Sequence, residues 1–139
     1  MEDYRKDYMR SADNASTMST CDRRHVGCVI VKDWTVVGVG HNTAPIGTQT
    51  CDDVGHLMVD GSCKRTIHAE VNACIDALRT TGDLEGAIAY VTDEPCADCL
   101  KFIANLGISK VYYARPYHTR HYEFEHEVEL VQVDYKFKW

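Results

Sequence analysis

From residue 66 onward the chain switches between two hydrophobic periods, and that switching restricts the folds open to it. TIHAEVNACIDALRT repeats apolar residues at helical spacing, with Ile67, Val71, Ile75 and Leu78 along one stripe, and predicts a helix running to about Thr80, where TTGDLEG stops it. AIAYVT (87–92) is a short apolar run of strand type. CADCLKFIANLG (96–107) returns to helical spacing with Gly107 as its stop, and KVYYAR (110–115) is again a strand. Strands alternating with helices predict an α/β arrangement with helices packed on the sheet.

The rest of the chain adds to this frame. Tyr4, Tyr8, Ala12, Ala15 and Met18 mark a helix from about 2 to 18. VGCVIV (26–31) and TVVGVG (35–40), separated by KDW, read as a β-hairpin, and VELVQVD (128–134) reads as a final strand after a short polar segment at 119–127. A hairpin followed by alternating strands and helices implies an α/β domain with a mixed sheet and helices on its faces. Residues 41–65 are left as a long connection, a length that usually carries function.

At 139 residues, 45% of them apolar and 26% charged, the chain (1–139) is expected to be a single domain. No apolar run approaches the roughly 20 residues that span a bilayer. MEDYRKDYMR lacks the layout of a signal peptide, so the expected location is cytoplasmic. Seven Cys without an export signal do not read as a disulfide framework, which leaves thiols for metal binding or core packing. A net charge of −6 argues against a broad nucleic-acid face. The longest basic cluster holds Arg23 and Arg24, enough to meet one phosphate, although both read equally well as solvated surface charges.

The chemistry sits at the starts of two helices. In EPCADC, Cys96 and Cys99 stand at i and i+3, so their sulfurs share one face at a helix N-terminus, where thiolates are favoured. His68, in the first turn of the preceding helix, completes a Cys₂His set. Three protein ligands leave one position open for water, as catalytic sites do. Two thiolates and an imidazole suit zinc, which makes a bound water acidic enough to ionise near neutral pH. Glu70 lies two residues from His68 and so does not face the same way; it is placed to take the water's proton and return it, as general base and then general acid. A CxxC alone would read as a redox pair or half a structural zinc site. The combination of His-x-Glu with Pro-Cys-x-x-Cys is far more specific.

With these residues in place, the sequence resembles the deoxycytidylate deaminases of the cytidine deaminase-like superfamily, particularly their bacterial and phage branch. HVGCVIV, GHNTAPIG, RTIHAEVNA, EPCADC, GISKVYYA and Tyr117 occur in that family's order, over residues from about 20 to 118. The resemblance implies a three-layer fold with a mixed five-stranded sheet and helices on both faces. It implies zinc-dependent hydrolysis of dCMP to dUMP and ammonia, supplying dUMP for thymidylate synthesis, with His68, Cys96 and Cys99 as ligands and Glu70 as proton shuttle. Asn42 matches a contact to the deoxyribose and base and Tyr117 a tyrosine near the nucleotide, while Arg23 or Arg24 would meet the 5′-phosphate bidentately.

The resemblance also implies a hexamer activated by dCTP and inhibited by dTTP through a Gly-Tyr-Asn-Gly segment. Here that segment is Gly40-His41-Asn42-Thr43, and a Cβ at position 43 restricts the backbone if the relatives use a positive φ there. In the long connection, Cys51, His56 and Cys63 could join Cys21 in a closed Cys₃His site, a second and structural zinc that would order the loop; the alternative is free thiols and a surface histidine. Cys28 and Cys74 are expected in the core, Trp34 at the hairpin turn, and Met9, Met18 and Met58 in apolar contacts. The tail VDYKFKW would be an edge strand or pack on a partner subunit.

Three competing functions are open. The substrate could include dCTP, or be cytidine. An enzyme acting on tRNA or single-stranded DNA would need a basic groove with stacking aromatics. A zinc-stabilised binding module without catalysis would need a fourth protein ligand beside His68, Cys96 and Cys99.

Overall fold

The structure, a computed structural model, describes residues 4–19, 25–44, 58–59, 62–63, 67–116 and 127–137. Its elements are α1 (Tyr4–Ser16), β1 (Gly27–Lys32), β2 (Thr35–His41), β3 (Met58–Val59), β4 (Ser62–Cys63), α2 (Ala69–Thr81), β5 (Ile88–Asp93), α3 (Ala97–Asn105), β6 (Lys110–Arg115) and β7 (Glu129–Gln132). Five strands form one sheet in the order β2-β1-β5-β6-β7. β1 runs antiparallel to both β2 and β5, whereas β5, β6 and β7 are parallel, which makes the sheet mixed. Within the long connection, β3 and β4 pair as a short antiparallel ribbon and Thr43 bridges Ile67, order that hydrophobic period alone did not anticipate. Most of the polar segment at 119–127 lies outside the described residues.

Side-chain alternation along β1 shows why the sheet carries helices on both faces. Cys28 and Ile30 join Ala73, Cys74, Ala77, Leu100 and Ile103 in a core beneath α2 and α3. Val29 and Val31 point the other way, to Met9, Ala12, Tyr90 and Tyr112 in a second core beneath α1. The three-layer architecture follows. Cys28 and Cys74 are both fully buried, as expected of small core residues.

The buried face of α2 is not the one that the large apolar residues predict. Ala69, Glu70, Ala73, Cys74 and Ala77 are buried, while Ile75 is exposed and Val71 and Leu78 are half-buried. The reason is close approach to β2. A Cβ at Gly40 would run into the Ala73 amide and the Ala69 carbonyl, and one at Gly38 into the Ala73 carbonyl and Ala77. Glycine and alanine thus let helix and strand backbones nearly touch, and larger side chains are displaced to the margins. Gly40→Ala is expected to cost about 2–3 kcal/mol by overpacking; an unchanged urea midpoint would contradict this contact.

The β1–β2 hairpin turns on Asp33 and Trp34, at φ of 53° and 67°, positive at both loop positions as a type I′ turn requires. Residues other than Asn and Gly are held there by α1: the Tyr8 hydroxyl donates to the Trp34 carbonyl at 2.7 Å, and the Tyr4 ring stands edge-on to Trp34 at 5.2 Å. Among the described residues the C-terminal tail does not continue as the edge strand that is one of the two expectations for it. Only Glu129–Gln132 is strand; residues 133–137 pack on the α1 side of this same chain, where the Tyr135 hydroxyl donates to Asp13 at 2.8 Å and Phe137 lies 4.1 Å from the Arg115 guanidinium. No helix among the described residues is long and apolar enough to cross a membrane.

Candidate functional site

The N-termini of α2 and α3 meet at the end of the sheet where β5 finishes, α3 being entered directly from the C-terminal end of that central strand. The carboxyl ends of the strands are where open α/β sheets carry their ligands. His68 does not occupy the first turn of its helix, as spacing suggested, but the extended residue before it (φ −65°, ψ 150°), and its imidazole makes no capping bond. Cys96 holds the matching position ahead of α3 (φ −72°, ψ 167°), and its sulfur accepts the Cys99 amide at 3.4 Å. An extended residue at a helix start projects its side chain away from the helix's own stripe, which lets two helices contribute to one point.

His68 Nδ1 stands 3.1 Å from Cys99 Sγ and 3.6 Å from Cys96 Sγ. The ligand atoms of all three residues lie within 4.8 Å of one another, the one such His/Cys/Asp/Glu group among the described residues. Without a cation, the Cys96 and Cys99 thiols are hydrogen-bond partners. Hydrogen bonding from Cys99, aided by His68 and the Cys99 amide, draws Cys96 down to about 3. The Cys99 thiol is held far up by its bond to Cys96, by burial and by the Glu70 carboxylate. A divalent cation between them would displace the thiol proton, as thiolate ligation requires. Two sulfurs and one imidazole at this spacing fit zinc.

Glu70, in the first turn of α2, is 4% exposed. Burial raises its carboxyl above the ordinary value, opposed chiefly by His68. The ligand residues thus lie within electrostatic reach of a carboxyl that the protein keeps ready to hold a proton.

Asn42 is also buried and reaches the same end of the sheet. Its side-chain oxygen accepts the Val26 amide at 3.0 Å, its own amide donates to the Val26 carbonyl at 3.3 Å, and the Thr43–Ile67 bridge sets it beside the approach to His68. Among the described non-glycine residues only Asp33 and Trp34 have positive φ, so Thr43 stands in an extended bridge that tolerates its Cβ. His41 is tied by its carbonyl to the Asn72 side chain at 2.9 Å. Cys21, Arg23, Arg24, Cys51, His56 and Tyr117 lie outside the described residues, and Cys63 is described only as backbone of β4.

Sequence reasoning passed over a polar group behind the ligands. Asp93, the last residue of β5, is 6% exposed, and its Oδ1 accepts the Thr92 hydroxyl at 2.8 Å and Arg115 Nε and Nη2 at 3.1 and 3.0 Å. The available signal was an acidic residue closing an otherwise apolar strand just before Glu94-Pro95-Cys96.

The family model for the cytidine and deoxycytidylate deaminase zinc-binding region matches residues 2–115, a span that contains His68, Glu70, Cys96 and Cys99. The chain belongs to this family. Among its relatives, ComE operon protein 2 of Bacillus subtilis (strain 168) is 41% identical over 133 residues, covering 91% of this chain and 70% of that one. The deoxycytidylate deaminase of Mycobacterium phage D29 is 37% identical over 124 residues, covering 81% and 95%. The crystal structure of dCMP deaminase from the cyanophage S-TIM5 in complex with dCMP and dUMP superposes with a TM-score of 0.81 at 31% identity, covering 96% of this chain and 99% of that one. The three-layer fold expected from the sequence is therefore that of the deaminases, and membership places the chain among zinc-dependent enzymes of this family.

Proposed function

We propose that the protein is a deoxycytidylate deaminase that hydrolyses dCMP to dUMP and ammonia. The observation that carries this reading is a three-ligand group set beside a buried carboxyl, in a chain alike over nearly its whole length to a phage enzyme that binds dCMP and dUMP. In this reading His68, Cys96 and Cys99 hold a catalytic zinc, which when bound supplies a Lewis acid that readies water for attack at C4 of cytosine. Glu70 accepts the water's proton, delivers a proton to ring N3, and later delivers one to the departing amino group. Asn42 orients the base and deoxyribose, with Tyr117 beside the nucleotide and Arg23 or Arg24 on the 5′-phosphate. Since three residues rather than four converge among the described residues, the non-catalytic module is disfavoured.

The same reading includes further assignments. Cys21, Cys51, His56 and Cys63 form the second, structural zinc site. The enzyme works in the cytoplasm as a homohexamer, dCTP activating and dTTP inhibiting it, and its dUMP feeds thymidylate synthesis. The extended conformation of Thr43 supports retention of an effector response despite the changed Gly40-His41-Asn42-Thr43 segment.

Loss of the cytosine ultraviolet band tests the reading when zinc-loaded protein meets dCMP, dCDP, dCTP and deoxycytidine separately. Conversion of dCMP ahead of the others is expected. Comparable rates on dCTP would favour the dual-substrate alternative, and no conversion of any with zinc at His68, Cys96 and Cys99 would remove the nucleotide deaminase. Repeating the dCMP saturation curve with dCTP and with dTTP tests the effector assignment, which superimposable curves would end.

A further inference from the structure

Arg115 closes β6 beside the site, and its guanidinium and backbone join three separate pieces of the fold. Nε and Nη2 donate to Asp93 at the end of β5, Nη2 donates also to the His25 carbonyl at 3.3 Å, and the Arg115 carbonyl accepts the Glu94 amide at 2.9 Å. Phe137 covers one face of the guanidinium. Asp93 and Glu94 lead straight into Pro95 and Cys96. His25 opens the segment in which Val26 exchanges two hydrogen bonds with Asn42 and the Gly27 amide donates to Thr92 Oγ1 at 3.2 Å, and that segment follows Arg23 and Arg24 in the chain.

The group is built rather than incidental. Thr92 is fully buried and Asp93 nearly so, and a carboxylate in such a place needs its partners satisfied. One oxygen of Asp93 receives three donors, two of them from one planar fork. Lys110 and Glu129, at the other end of β6, pair at 3.4 Å across their own two strands, with Lys110 also over the Tyr112 ring of β6.

We propose that Arg115 is a positioning residue for the nucleotide: it sets the Val26–Asn42 segment in register against the Glu94–Cys96 turn, and so governs KM for the substrate rather than the chemical step. This rests on the deaminase reading for the role of Asn42. A lysine cannot reproduce the fork, since one ammonium group does not reach two acceptors in the guanidinium geometry. Asp93→Asn keeps an acceptor in place and removes its charge.

The test compares Arg115→Lys with the zinc-loaded parent, with Lys110→Met as the control for an ordinary ion pair on the same strand. Arg115→Lys is expected to raise KM for dCMP about tenfold while kcat stays within about twofold, with zinc content unchanged; Asp93→Asn gives the same change in smaller measure, and Lys110→Met leaves KM where it was. Hydrogen exchange supplies a readout that needs no substrate: the Val26 and Gly27 amides of Arg115→Lys exchange faster than the parent's. An unchanged KM, a KM rise accompanied by zinc loss, a fall confined to kcat, or identical exchange would overturn the inference. If the parent converts no dCMP, the function fails by itself, and the exchange comparison alone decides whether Arg115 sets this register.

Discussion

Glu70→Gln protein is expected to hold zinc as the parent does and to turn over dCMP roughly 10²–10⁴ times more slowly, the usual contribution of a positioned proton shuttle. Glutamine keeps the shape of the side chain and its ability to hydrogen bond but cannot carry the proton. Because Glu70 is not one of the three residues whose ligand atoms cluster, although its carboxyl reaches Cys99, metal content and activity should separate. Zinc analysis beside kcat checks this; a variant with parental kcat would end the shuttle role, and loss of zinc along with activity would make Glu70 a ligand.

A stability measurement on the zinc-chelated proteins gives a second handle on the same side chain. Burial holds the Glu70 carboxyl above its ordinary 4.5, so the folded state disfavours the charged form. Stability present below that pH is lost as pH rises past it, because the unfolded chain ionises more readily than the fold allows. Glutamine carries no such loss. The chelated variant is therefore expected to match the parent near pH 4.5 and to exceed it at pH 7, a difference read directly from urea midpoints at the two pH values. With Glu70 as the proposed proton shuttle, function at this position would be held against stability, as is common where catalysis needs a buried charge.

The second large effect is expected of Cys99→Ser. Cys99 is 4% exposed and its sulfur lies 3.1 Å from His68 Nδ1, so it is the innermost of the three candidate ligands. Serine is a poor partner for zinc beside a thiolate and an imidazole. The variant should lose one zinc per chain and fall to background activity. It should also lose the metal's contribution to the fold, about 2.7–4.1 kcal/mol when free zinc stands at 100 to 1,000 times its dissociation constant. Thermal unfolding with and without chelator checks this: the parent's midpoint falls on chelation, whereas the variant responds only through whatever zinc the Cys21, Cys51, His56 and Cys63 group holds. Full zinc and turnover in Cys99→Ser would displace Cys99 from the ligand set.

Residue type and local spacing carried most of the chemistry into view. A thiol at i and i+3, a proline before it, and an imidazole two residues from a carboxylate are features of short segments, and short segments survive folding with their order intact. The periods of 3.6 and 2 did the same for the elements, which is why α1 to α3 and the five sheet strands lie within a few residues of where the pattern set them. Even so, His68 and Cys96 precede their helices instead of occupying the first turns, because periodicity shows which face a residue is on and not where the backbone leaves the extended state.

What the sequence by itself determined is the α/β class, the pairing of the hairpin, the candidate ligands and the candidate proton carrier, all of them properties of residues near one another in the chain. Only the tertiary structure decided that α2 buries its alanines and leaves Ile75 outside, since that depends on Gly38 and Gly40 arriving from a strand some thirty residues earlier. It alone brought Asp93, Arg115, His25 and Phe137 together, and turned the aromatic tail onto α1 of its own chain. The physical reason is common to these cases. Contacts across a sheet are set by strand order, and strand order comes from how the whole chain packs two cores at once, a balance that no single segment contains.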